Sequence, residues 1–461
     1  MANKKDVTGL KIIIVGAGKI GSTLVGQLVK EGHDITVIDQ RQALVDSITD
    51  SYDVMAITGN GASYSIQMEA GIEETDLLVA VTGSDELNLL CCTVAKQVAG
   101  CSTIARVRTP DYNNEVNYLR ESLGLAMIIN PEYEAALEAS RMLIVPSALD
   151  VNSFVHGQAE LVKFKVPADS KLDNISLMEL SKRIKSRIHV CVVEREDNVI
   201  IPNGTFVLKA DDTLSFVCKK TEVKKFLDEI GMKAKPVRNC LIVGGGTTSF
   251  YLATQLISMG IKVKIIESQR ARCETLSLLL PDAVIINGDG TNEDLLNEEG
   301  IKDVDSFVPL TGIDEQNVLL ALYAQKNSKA KVITKVTRTN FRGIISKMDI
   351  GSVLFPQNMT SEAITAYVRG MNNSKDSGNI QTLYHMYDNR VEAVEFSVGS
   401  NSKVTGTRIM DLKLKNNLLV SFIERNGKVF LPSGESTIES GDSVVIVTTH
   451  PGLKEIDDIL A

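Results

Sequence analysis

Gly16, Gly18 and Gly21 form a Gly-x-Gly-x-x-Gly loop directly after the apolar run Lys11–Val15. An acid, Asp39, ends the next apolar run, 18 residues beyond Gly21. This combination is suited to holding a nucleotide. The first glycine allows a tight turn, the second lets backbone approach a pyrophosphate, and the third lets a helix lie close to a strand. Amides at the helix start then face the phosphates. Gly16, Ala17, Gly18, Lys19 and Ile20 are the expected cradle. Asp39 can accept bonds from both hydroxyls of an adenosine ribose. A 2′-phosphate would meet like charge there, so NAD(H), ATP or ADP is favoured over NADP(H). Arg41, two residues on, reads either as an adenine-stacking group or as the coat of a helix start.

The pattern recurs. KIIIVGAGKIG at 11–21 matches NCLIVGGGTTS at 239–249, and TGSDELN at 82–88 matches TGIDEQN at 311–317. The separation stays at 228 to 229 residues. The second loop is Gly244, Gly245, Gly246, Thr247 and Thr248, with Ser249 in the place of the third glycine and Glu267 in the place of Asp39. It reads either as a second working site or as a relic that keeps the fold. Thr82-Gly83 and Thr311-Gly312 end the fourth strand of each copy, the edge where a doubly wound sheet receives its nucleotide. Arg106, and Lys335 in the second copy, end the fifth strand and can reach a phosphate. Asp85 and Glu86 read as caps of the next helix, or as a border of the pocket. Gly59 and Gly288 mark either a close backbone approach or an ordinary turn.

These residues need a scaffold of alternating elements. Strands are expected at Lys11–Val15, His33–Asp39, Val54–Ile57, Leu77–Thr82 and Thr103–Val107. Helices are expected near Lys19–Lys30, Arg41–Asp50 and Glu86–Val98, with Ile20, Leu24 and Leu28 on one apolar face. This order predicts a parallel sheet covered on both faces. The repeat continues beyond it, since VCVVEREDNVIIPNGTFVLKADDTLSFV at 190–217 matches LVSFIERNGKVFLPSGESTIESGDSVVIV at 419–447. Those tails read as small α+β modules of short strands, with one helix near Ser176–Arg183 in the first. The fold class is thus α/β: tandem Rossmann-like parallel-sheet domains, each followed by a small α+β domain. The expected divisions are 1–150, 151–235, 236–375 and 376–461, with a polar exposed loop or hinge at 372–378.

Composition narrows the function. The chain has 461 residues, a formal net charge of −9 and 44% hydrophobic residues. The acidic balance disfavours nucleic acid and broad adsorption to anionic lipid. No apolar run approaches the roughly 18 residues of a membrane span, and MANKKDVTGLKIIIVGAG lacks a signal-peptide pattern, so a cytoplasmic protein is expected. Seven cysteines without a CxxC read as buried reduced thiols. Five scattered histidines form no metal-ligand spacing. A dehydrogenase needs a proton donor beside the nicotinamide. His33 precedes the second strand, and no Tyr-x-x-x-Lys follows the fourth. No Walker sequence supports ATP hydrolysis. Duplicated binding without catalytic equipment suggests a sensor coupled to a partner. An NAD(H)-dependent oxidoreductase and a nucleotide-free scaffold are the alternatives.

GAGKIG, VIDQ, VAVTGSDELNLL and IARVR closely resemble the TrkA family, the peripheral regulatory subunits of bacterial Trk potassium uptake. The resemblance covers the whole chain, in tandem RCK units of a TrkA-N and a TrkA-C part. It implies a non-enzymatic gating ring on the cytoplasmic face of an integral-membrane potassium-translocating subunit. It implies a homo-oligomer, a dimer or tetramer of tandem chains, that binds NAD(H) and ATP or ADP. The matching positions are Gly16 through Ile20, Asp39, Thr82, Gly83 and Arg106. Their internal counterparts are Gly244 through Thr248, Glu267, Thr311, Gly312 and Lys335.

Overall fold

A computed structural model describes residues 9–113, 115–145, 147–168, 170–232, 235–338, 342–345, 348, 350–371 and 380–461. The polar run at 372–378 lies outside the described residues.

The first glycine loop sits in a sheet built from β1 (Lys11–Val15), β2 (Asp34–Asp39), β3 (Met55–Thr58), β4 (Leu77–Ala80), β5 (Ser102–Arg106) and β6 (Met127–Ile129). Between them run α1 (Lys19–Lys30), α2 (Gln42–Ser51), α3 (Tyr64–Glu69), α4 (Asp85–Ala99), α5 (Pro110–Asn113) and α6 (Val116–Ser122), and α7 (Pro131–Ile144) follows. The strand order is β3-β2-β1-β4-β5-β6, all parallel. Strand order reverses between β1 and β4, and the crevice outside the carboxyl edge at such a reversal is where these sheets take ligands. The apolar runs explain the layering. Ile12, Ile13 and Ile14 are buried, as continuous apolar strands are when helices cover both faces. Leu24, Val25 and Leu28 form the buried face of α1.

The first tail contains β7 (Asp150–Phe154), β8 (Ala159–Lys165), α8 (Leu177–Arg183), β9 (Ile188–Arg195), β10 (Asn198–Ile200), β11 (Thr213–Lys219) and α9 (Lys220–Glu229). Its antiparallel sheet has the order β10-β9-β11-β8-β7. The second nucleotide unit repeats the first: β12 (Asn239–Val243), α10 (Thr247–Ser258), β13 (Lys262–Glu267), α11 (Arg270–Leu279), β14 (Val284–Asn287), α12 (Glu293–Glu298), β15 (Ser306–Pro309), α13 (Asp314–Asn327), β16 (Lys331–Lys335), α14 (Arg342–Ile345), β17 (Ser352–Leu354) and α15 (Pro356–Met371). Its order is β14-β13-β12-β15-β16-β17. The last tail has β18 (Ile380–Met386), β19 (Val391–Ser397), β20 (Leu418–Arg425), β21 (Lys428–Phe430) and β22 (Ser443–Thr448), ordered β18-β19-β22-β20-β21.

The tails depart from the expected shared plan in their helices, and α9 of the first is matched after the last strand of the second only by the 3-10 turn Ile456–Ile459. The first carries α8, capped by the Ser176 hydroxyl, whereas the second has only the short 3-10 turn Ile409–Asp411 at the corresponding place. They also share a core. Phe154, Leu161, Cys191 and Val217 of the first pack with Met386, Ala393, Phe422 and Val447 of the second. Tyr387 bridges to Ser215 through a buried hydroxyl pair at 2.7 Å. Neither small sheet has to bury its apolar face alone, which suits modules of this size.

The chain divides into two compact units: Met1–Ala135 with Phe355–Thr365, and Ala136–Leu354 with Ala366–Ala461. Most of α7 therefore belongs to the second unit, and the first part of α15 to the first. Among the described residues no helix is long and apolar enough to cross a membrane. All seven cysteines are free and buried.

Candidate nucleotide sites

Gly16 has φ +109°, a conformation that L side chains rarely adopt, and a Cβ there would come within 3.0 Å of the Val81 backbone. Gly244 repeats this at φ +100°. Gly18 and Gly246 are the N-cap residues of α1 and α10, and neither helix start has a side-chain acceptor. A Cβ at either glycine would meet nothing within 4 Å, so open space lies over the helix amides. That combination fits a phosphate group, which supplies the missing acceptor.

Asp39 is tied to this loop. Its Oδ2 accepts from the Ala17 amide at 2.8 Å, and its Oδ1 from the Arg41 amide at 2.9 Å. Glu267 reproduces both contacts, with the Gly245 amide at 2.6 Å and the Gln269 amide at 2.7 Å. The oxygen of each carboxylate that meets the loop, Oδ2 of Asp39 and Oε2 of Glu267, accepts one bond and retains a lone pair for a ribose hydroxyl. Arg41 precedes α2 as its N-cap residue, and its exposed side chain lies 3.5 Å from Asp39. Gly59 and Gly288 donate their amides to the carbonyls of Asp39 and Glu267, each at 3.0 Å. Side chains of Ile66 and Leu295 fill the space where their Cβ atoms would be. These two glycines are thus explained by packing and a turn.

The third glycine separates the copies. A Cβ on Gly21 would lie 1.8 Å from the Gly16 carbonyl oxygen. Ser249 occupies that position in α10, fully buried, with a hydroxyl that finds no partner. The second helix start is therefore built around an extra atom and an unsatisfied polar group.

Across the crevice, Thr82 and Gly83 follow β4. Asn88, fully buried on α4, accepts from the Thr82 amide at 2.8 Å and hydroxyl at 2.7 Å, and donates to the Arg106 carbonyl at 2.9 Å. Asn317 does the same between Thr311 and the Lys335 carbonyl, at 2.9, 2.8 and 3.0 Å. These asparagines clamp the ends of adjacent strands. Composition could not reveal the role, because a polar residue on a helix normally reads as a solvated face. Gly83 and Gly312 face open space.

Asp85 does not cap α4. Ser84 does, accepting from the Leu87 amide. Asp85 is buried and accepts from the Arg108 and Thr109 amides at 2.9 and 2.8 Å and from the Thr109 hydroxyl at 2.6 Å. Burial pushes its carboxyl up, and those bonds outweigh it, leaving it below its ordinary value. Arg108 also donates to the Gly83 carbonyl, so Asp85 and Arg108 together brace the turn that borders the crevice. Asp314 takes the same place in the second copy, bonded to Thr337 and Arg338. Glu86 accepts from the Ser84 hydroxyl at 2.9 Å.

Arg106 is held by Glu132 at 3.0 Å. Its Nε and the second oxygen of Glu132 are buried without partners, leaving an orphaned donor and acceptor beside the crevice. Lys335 donates to the Leu310 carbonyl at 3.0 Å. His33 accepts from the Leu10 amide at the opposite end of the strands, away from the loop. Among the described residues no group of three or more His, Cys, Asp or Glu could hold a metal ion.

The TrkA-N domain model matches residues 12–131 and 240–356, and the TrkA-C domain model matches 161–231 and 393–461. The chain is 32% identical over 456 residues to the Trk system potassium uptake protein TrkA of Vibrio alginolyticus, covering 98% of both. It is 30% identical over 441 residues to that of Haemophilus influenzae, covering 95% of both. Among solved structures, "GsuK channel bound to NAD" matches with TM-score 0.64 at 16% identity, over 96% of this chain and 77% of that one. "Crystal structure of the GsuK bound to ADP" matches with TM-score 0.51 at 14% identity, over 78% and 69%. At these identities the likeness is one of fold.

Proposed function

This chain belongs to the TrkA family of Trk potassium-uptake proteins, and on that premise we propose that it is the nucleotide-sensing regulatory subunit of a potassium-translocating membrane protein. Its functional parts are 1–150 and 236–375 as nucleotide units, and 151–235 and 376–461 as the tails that pair. The observation that carries this reading is the duplicated tether of an acidic side chain to a glycine loop, Asp39 to Ala17 and Glu267 to Gly245.

Each unit takes an adenine nucleotide, NAD(H), ATP or ADP. The phosphates lie at Gly16–Ile20 or Gly244–Thr248. The ribose lies at Asp39, flanked by Arg41, or at Glu267. The far end of the ligand lies near Thr82, Gly83 and Arg106, or Thr311, Gly312 and Lys335. The bound group is read as a signal, and no residue of this chain performs chemistry on it. Nucleotides of different charge and length favour different domain arrangements, and a difference in affinity between those arrangements drives the shift. The paired tails join the nucleotide units of a homo-oligomer, which sits on the cytoplasmic face of its integral-membrane partner.

Purification of the full chain with its membrane partner, followed by mass spectrometry of the released nucleotide, tests this. The expected result is a stoichiometric adenine nucleotide and a co-purifying potassium transporter. Turnover of alcohols or aldehydes with NAD(H) would favour an oxidoreductase instead.

A further inference from the structure

The two loops differ in a residue outside the glycine pattern. Arg272, in the first turn of α11, donates from Nε to the Gly245 carbonyl at 2.6 Å. The Gly245 amide is bonded to Glu267, so a carboxylate and a guanidinium grip opposite sides of the same loop residue. Arg272 forms no ion pair among the described residues, and its two Nη nitrogens have no protein partner there. The neighbouring Arg270 is exposed and paired with Glu274 at 3.2 Å. In the first copy the equivalent position, 228 residues earlier, is Leu44, which has neither charge nor donor.

We propose that Arg272 is a specificity-determining residue that lets the second site accept a phosphate on the adenosine ribose, which the first site rejects. This rests on the nucleotide reading above and sharpens it for one copy. The turn after the second strand is where a Rossmann unit meets the ribose, and an arginine there is the group that receives a 2′-phosphate. The Glu267 carboxylate already accepts from two amides and from the Ser268 hydroxyl, which spreads its charge over three donors. The Nε anchor fixes the guanidinium and leaves both Nη donors to form a fork for an anion. In the first copy the exposed Arg41 lies 3.5 Å from the Asp39 carboxylate, and Leu44 stands in the place of Arg272.

Calorimetry on the full chain tests this with NAD+ and NADP+ as probes. Gly18→Glu, which sets a carboxylate in the open space over the α1 amides, leaves the second site to report, and Gly246→Glu leaves the first. At the second site NADP+ is expected to bind within about threefold of NAD+, and at the first about tenfold or more weaker. Arg272→Leu should weaken NADP+ by about tenfold while NAD+ changes by less than about twofold. Leu44→Arg should narrow the gap at the first site. Equal weakening of both ligands by Arg272→Leu would mean that the residue only props the loop, and would overturn the proposal. So would equal rejection of NADP+ by both sites. Absence of NAD+ and ADP binding to the unmodified chain would instead overturn the nucleotide reading itself.

Discussion

Asp39 and Ala17 are joined by a 2.8 Å hydrogen bond from the loop amide to the carboxylate, and Glu267 and Gly245 repeat it at 2.6 Å. The acid therefore both shapes the loop and stands ready for the ribose. Asp39→Ala should lower nucleotide affinity at the first site by about tenfold or more. The loss of a charged acceptor should also cost on the order of 1–3 kcal/mol of stability. Glu267→Ala should do the same at the second site alone. Titration calorimetry resolves the two, and an unchanged affinity in either variant would remove that acid from its site.

The third loop position gives an asymmetric pair. In Gly21→Ser the new Cβ would fall 1.8 Å from the Gly16 oxygen, so α1 must move off β1. The expected destabilisation is about 1–3 kcal/mol, read as a lower unfolding midpoint. Ser249→Gly removes a buried hydroxyl that has no partner, at the cost of a glycine inside a helix. These offset, and a change within about 1 kcal/mol is expected. Equal losses from the two variants would contradict the packing difference.

Much of the nucleotide fold was legible because its signals are local. A glycine loop between an apolar run and an amphipathic helix specifies strand, turn and helix in one short stretch. The duplication then confirmed each element against its copy. The role of Asp85 was not legible, since an acid at a helix start looks like a cap until Arg108 and Thr109 are seen to fold onto it. Arg272 was hidden for a similar reason: its partner is a backbone carbonyl 27 residues away. The shared core of the tails was invisible because Cys191 and Phe422 lie far apart in sequence, and alternation shows which face is buried but not what buries it.

Glu392 links stability to acid. Burial pushes its carboxyl up, but hydrogen bonds from His385 and Arg369 and the Arg369 charge outweigh that and hold it at about 2, against an ordinary 4.5. Protons therefore bind the unfolded chain first as pH falls. The stabilisation is complete above about pH 4.5 and is lost progressively toward pH 2. Glu392→Gln should flatten the stability profile in that window. Arg369→Met, which leaves the buried carboxylate with His385 and the Gly452 amide but without its guanidinium, should cost about 3–5 kcal/mol at neutral pH.

Lys331 acts in the opposite range. It donates to the Ser352 hydroxyl at 2.9 Å and to the Ala148 carbonyl. Burial pushes its ammonium down to about 8 from 10.5, with Asp150 opposing. Between those values the unfolded chain holds more protons, so stability should rise with pH across that interval. Lys331→Met should abolish the rise, as read by urea unfolding at several pH values. A rise that persists would place its origin elsewhere.

Rubidium uptake by cells that depend on this chain tests the central claim most directly. Cells carrying the Asp39→Ala, Glu267→Ala double variant, at normal levels of folded protein, should lose the dependence of uptake on adenine-nucleotide state. Uptake that follows nucleotide state as in the unmodified chain would contradict a nucleotide-sensing role for these two sites.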